Sequence, residues 1–143
     1  MSDTKSSEPF VVAVGQFVDL ARERALQAYR ATALDALARV RELTPVKTGY
    51  LRANWTIVLS GDPEPIAGQI QNDADVVARL QLSDQIILTN PAVYARRIEF
   101  GFVGEDSLGR VYHQKGVGMM QQTIAEMPQI AERATERVIN GGT

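Results

Sequence analysis

The chain has 143 residues, 45% of them hydrophobic and 22% charged, which suits one folded domain with its own core and excludes disordered and collagen-like classes. A net charge of −2 provides no global field for gripping nucleic acid or an anionic membrane. The absence of cysteine excludes a disulfide framework, a thiolate metal site and a cysteine nucleophile, and agrees with synthesis in a reducing compartment.

In chain order, residues 1–9 form a polar segment expected to be a flexible arm without a secretion signal, and no apolar stretch approaches the ~18 residues of a membrane span. Pro9 is placed to open a helix, because its missing N–H costs nothing in a first turn. From Phe10 to Leu43 alanine is abundant and no proline intervenes, so a long helix is predicted. It carries two apolar stripes, Phe17, Ala21, Ala25 and Ala28, then Leu26, Tyr29, Ala33, Leu37 and Val40. The width of that apolar surface fits either contact with a neighbouring subunit or enclosure by the chain's own sheet and C-terminal helix.

Thr44-Pro45 ends the helix, since a residue before proline is pushed out of the α region. Tyr50 to Ser60 is predicted as a strand, with Trp55, Ile57 and Leu59 alternating, and the run from Gly61 to Pro65 as a turn. A short strand is expected over Ile66 to Ile70, and a brief helix over Asp73 to Leu80 capped by Asn72 or Asp73. Gln85 to Thr89 is a second β-rich run, stopped by Asn90-Pro91.

Gly101 to Gly118 is predicted as a charged surface loop, and Thr123 with Glu126 has the capping-box spacing of a helix start. That helix would turn Ile124, Met127, Ala131, Ala134 and Val138 inward, bend or start late at Pro128, and stop at Asn140-Gly141-Gly142. The expected fold class is α+β, with a long N-terminal helix, a small mainly antiparallel sheet and a C-terminal helix. The expected organisation is a flexible arm over 1–9, a single domain over 10–139 and a flexible tail over 140–143.

Chemical equipment is sparse. His113 is the only histidine, which rules out a two-histidine metal site. With Glu105 or Asp106 it is the one candidate for a small hydrolase or nuclease, although a lone loop histidine is far more often solvated. Gly116-Val117-Gly118 lacks the rest of a dinucleotide fingerprint, so turn chemistry explains it. No catalytic, cofactor-binding or metal-binding residue is assigned, and no cofactor is expected. Asp62, Glu64, Asp73 and Asp75 are an acidic stretch, while Arg22, Arg24, Arg30, Arg39, Arg41, Lys47 and Arg52 make the first third basic. Acidic loop against basic residues of the next subunit is one reading, and ordinary surface charge is the other. A DNA-binding module built on Arg22 to Arg41 fits the acidic balance poorly.

Two segments are more specific. One runs from Thr44 through Pro45, Thr48, Gly49, Leu51 and Arg52 to Trp55, and the other from Asn90 through Tyr94, Ala95 and Glu99 to Gly101. With the Gly118-Met119-Met120 stretch that leads into the last helix, they resemble, in order and spacing over roughly Leu34 to Val138, the tail-completion or neck proteins of long-tailed bacteriophages. Lys47 stands where that family usually has an acidic residue, and a Gly-Glu-Asp-Ser run follows Gly101 in place of a short polar stretch.

The resemblance implies a non-enzymatic virion protein of the neck, assembled in the host bacterial cytoplasm. It would be a subunit of a homo-oligomeric, sixfold ring between the capsid connector (head-closure) proteins and the tail terminator or tail tube proteins. DNA would pass through the lumen without specific binding, and no membrane is involved. A tail terminator capping the tube is the alternative. Gly49, Arg52, Trp55, Asn90, Tyr94, Glu99, Gly101 and Met120 are the structural or interface candidates. Gly49 and Gly101 are expected to take positive φ, Trp55, Tyr94 and Phe100 to act as anchors, and Arg52 to pair with Glu99.

Overall fold

The computed structural model describes residues 2–46, 49–105 and 107–141. Met1, Lys47, Thr48, Asp106, Gly142 and Thr143 lie outside the described residues, and with them the Lys47 departure, the Asp106 candidate and the extreme ends of the arm and tail.

The elements are α1 (Ser2–Glu42), α2 (Tyr50–Ala53), β1 (Thr56–Leu59), α3 (Asp73–Ala78), β2 (Ile86–Thr89), α4 (Ala95–Phe100), β3 (Gly101–Glu105), β4 (Val111–Lys115) and α5 (Met119–Gly141). The fold is α+β, with β1 and β2 forming one antiparallel pair and β3 and β4 another.

α1 starts at Ser2 and runs through Pro9 instead of beginning there; a proline inside a helix removes one backbone hydrogen bond, and the helix continues past it. The stripe predicted from Leu26 to Val40 faces the core. Ala33, Leu37 and Val40 are buried and Leu26 and Tyr29 partly so, because the three-to-four spacing keeps them on one side. The other stripe, Phe17 to Ala28, is not enclosed by the sheet; it borders a cleft shared with the end of α5.

In β1 and β2, Ile57 opposes Leu88 and Leu59 opposes Ile86 on the core face, while Val58 and Ile87 oppose each other outside. The core joins this pair to α1 and to Leu51, Trp55, Val76, Leu80, Ala92 and Met119. α5 lies along α1, burying Ile130, Ala134 and Val138.

Five expectations are corrected. Tyr50 to Ala53 is a helical turn, so the strand is only Thr56–Leu59; a left-handed Gly49 opens the turn and three backbone carbonyls of it accept around Asn54. Residues 66–70 form an isolated bridge, Ile66 to Gln69, held by the Gly68 N–H donating to Asn54 Oδ1 at 2.7 Å, and not a strand. The predicted loop after Gly101 is the β3–β4 hairpin. α5 begins at Met119, four residues before Thr123, whose hydroxyl donates to Met119 O at 2.8 Å within the helix and does not cap it. Pro128 lies inside α5, which starts at Met119 and so not late at the proline. The brief helix capped by Asn72 is present, with Asn72 Oδ1 accepting from Ala74 N at 2.9 Å.

Candidate functional site

The first motif is a knot at the end of α1. Thr44, buried, donates its hydroxyl to Val40 O at 2.6 Å and accepts from Trp55 Nε1 at 2.8 Å, so the indole N–H is satisfied where α1 stops. The Arg52 guanidinium donates to Thr44 O at 3.1 Å. Arg41 reaches from α1 to Trp55 O at 3.0 Å and to Asp73 at 2.7 Å. Gly49, at φ 77°, reverses the chain where a side chain would be strained.

The second motif is tied to the first by Asn90. Its Nδ2 donates to Leu51 O at 2.8 Å, and its Oδ1 accepts from Ala92 N at 3.0 Å, which folds the Asn-Pro turn back on itself. Tyr94 lies beside Tyr50, with ring centroids 6.1 Å apart, and both rings are partly exposed. Gly101 has φ 84° as expected, and α4 ends there.

The third motif is tied to the second by Glu99. Its buried carboxylate accepts from the backbone N–H of Met120 at 2.7 Å and of Gln121 at 3.0 Å. α5 has no acidic residue in its first turn, so the charge that satisfies its open N–H groups comes from α4. The expected Arg52–Glu99 ion pair is absent among the described residues: both carboxylate oxygens serve α5, and Arg52 faces the end of α1. Arg52 Nε is buried without a partner among those residues.

Gly116 is close-packed against the same junction. A Cβ there would lie 2.5 Å from Glu99 O and 2.6 Å from Phe100 C, while Val117 N–H donates to Ile98 O at 2.8 Å and Gly118 N–H to Glu99 O at 3.0 Å. The Gly-Val-Gly run is therefore a packing device. Its signal in the sequence was the glycine pair itself; Asn54, which links Tyr50 O to Gly68 N, gave none beyond being polar beside a tryptophan.

The charge segregation seen in the sequence is largely consumed within one chain. Asp73 pairs with Arg41, and Arg30 donates to Leu80 O at 3.2 Å at the end of α3. Arg79 holds the Asp62 carboxyl below its ordinary range, helped by the Leu59 N–H. Arg39 does the same for Glu126 across the α1–α5 seam, where Arg137 also meets Asp35 at 2.9 Å. Glu64 and Asp75 remain exposed.

His113 is exposed on β4 opposite Val103, and Glu105 lies on the same exposed face of the hairpin. Met120 is half-buried and lines an apolar cleft of about 300 Å³ with Tyr29, Ile57, Ile86, Leu88 and Ile124. No helix among the described residues is long and apolar enough to cross a membrane.

A family model described as "Bacteriophage HK97-gp10, putative tail-component" matches residues 10–101. The chain belongs to that family. The match holds the first two motifs and the whole of α1 from Phe10, and stops where the hairpin begins. No curated protein and no solved structure matches the chain. As an HK97-gp10-like tail component, the protein is a structural part of a bacteriophage virion and works among other virion proteins.

Proposed function

We propose that this tail component acts in the neck, as a subunit of a sixfold ring that joins the capsid connector to the tail terminator or tail tube without catalysis. The observation that carries this reading is the large apolar surface left on a frame whose Thr44, Trp55, Asn90 and Glu99 polar groups are bonded within the chain. Phe17 is 71% exposed, Val93 96%, Phe100 62% and Leu108 76%. On α1, the Asn-Pro turn, the end of α4 and the hairpin, they suit a subunit touched from several sides. Gly49, Arg52, Trp55, Asn90, Glu99 and Gly101 set the frame, and Tyr94 and Met120 border its exposed apolar surfaces.

His113 is exposed on the hairpin, opposite the exposed Val103, which supports a non-catalytic role. The slightly acidic balance suits a lumen that passes DNA without holding it. Deleting the gene from the phage that encodes it and imaging the lysate by negative stain tests the reading. Separate full heads and finished tails are expected. Overlong tails would assign the chain to the tail terminator, and normal joined virions would overturn both.

A further inference from the structure

α5 covers only part of α1. Ala21, Ala25 and Ala28 meet Val138 and Ile139 in an apolar cleft of about 300 Å³, and α5 ends at Gly141. Towards the N-terminus the same stripe continues through Phe17, which lines the open end of that cleft and is 71% exposed, to Val14, 44% exposed, at the spacing that keeps these residues on one face. A helical extension without packing draws little stability from propensity alone. Arg22 and Arg24 lie along the edges of this stripe, whereas Asp19 and Glu23 fall on the far side at 100° per residue. Neither arginine has a partner among the described residues.

A surface of complementary character lies on the outer face of the β1–β2 pair. Val58, Ile87, Pro65 and Pro91 line a cleft of about 270 Å³ together with Asp62 and Glu64. Asp62 is held by Arg79, while Glu64 has no partner among the described residues. Two α1 stripes facing each other would bring arginine edges together, a like-charge cost, but the sheet cleft of another copy offers apolar lining and the Glu64 carboxylate.

We infer that residues 14–24 of α1 of one copy dock into the outer β1–β2 cleft of the next copy, with Arg22 and Arg24 facing Glu64. Different patches on the two partners make the contact heterologous, the kind that closes into a ring. The inference rests on the ring reading above and names its subunit contact.

The cysteine-free chain gives a clean background for disulfide trapping. Phe17→Cys and Ile87→Cys, both at exposed positions, are placed together in the chain within assembled particles, which are oxidised and run on a denaturing gel. A ladder of covalent multimers is expected, absent from either single variant. A covalent dimer from Phe17→Cys alone would overturn the contact in favour of two-fold helix pairing. No ladder, in particles where glutaraldehyde links several copies, would overturn the contact and leave the ring standing. Only monomer after glutaraldehyde would overturn the ring and the contact with it. Independently, Arg22→Glu with Arg24→Glu is expected to cut incorporation about tenfold or more, with partial recovery on adding Glu64→Arg; unchanged incorporation would also overturn the contact.

Discussion

Replacing Glu99 by alanine removes the one acid, among the described residues, that serves the start of α5. The parent carboxylate accepts two short backbone hydrogen bonds at a site 7% exposed. Loss of a helix cap costs about 0.5–2 kcal/mol, and hydrogen bonds to a charged group are worth about 1.5–3 kcal/mol. Because the two estimates overlap, ~2–4 kcal/mol is expected for Glu99→Ala. Glu99→Gln keeps one acceptor but turns an NH2 towards a backbone donor, so ~1–2 kcal/mol is expected. At ~3–5 °C per kcal/mol for a chain of this size, the alanine variant should melt about 10 °C below the parent. Urea unfolding followed by circular dichroism measures the energy, and faster amide exchange at Met120 and Gln121 would localise it. An alanine variant within about 0.5 kcal/mol of the parent would refute the cross-helix cap.

Other outcomes follow from the same geometry. Gly116→Ala places a methyl against the backbone of Glu99 and Phe100, which cannot swing aside, so a loss of about 2 kcal/mol or more in urea unfolding is expected. Thr44→Val strands the Trp55 indole N–H and should cost ~1–3 kcal/mol, whereas Thr44→Ser should cost under about 1 kcal/mol because it keeps the hydroxyl. Glu126 is held below its ordinary value of 4.5 by Arg39, so its contribution to stability is present above that value and is lost as pH falls through the lowered one. A pH series of melting temperatures should therefore drop less steeply on acidification for Glu126→Gln than for the parent.

What the sequence made legible was what local chemistry decides. The Leu26–Val40 stripe, the alternation of Ile57 and Leu59, the Asn72 cap and the positive φ of Gly49 and Gly101 all follow from spacing or steric rules acting over a few residues. The hairpin was hidden because Gly101, Gly104 and Glu105, residue types that strands disfavour, interrupt its first strand, while Val103, Glu105, Val111 and His113 form an exposed face. The start of α5 was hidden for another reason: its acceptor is Glu99, about twenty residues earlier, so the local Thr123–Glu126 pattern pointed to the wrong turn while Glu126 in fact serves Arg39. Charge partners were likewise set by tertiary packing, as Arg41 with Asp73 and Arg79 with Asp62 show. Within the candidate site, the sequence identified the motif residues but not which partner each would hold.

The contact of Gly116 with the end of α4 has a consequence for how the chain tolerates change. The polypeptide leaves the body at Gly101 and returns at Gly116 to touch almost the same point, so the hairpin between them is a closed excursion. Nothing that happens at its tip alters where α5 is launched. Lengthening, shortening or tagging the turn near Leu108 therefore changes what the subunit presents at that edge while leaving the frame in register, which makes this stretch the place for an inserted epitope to be carried.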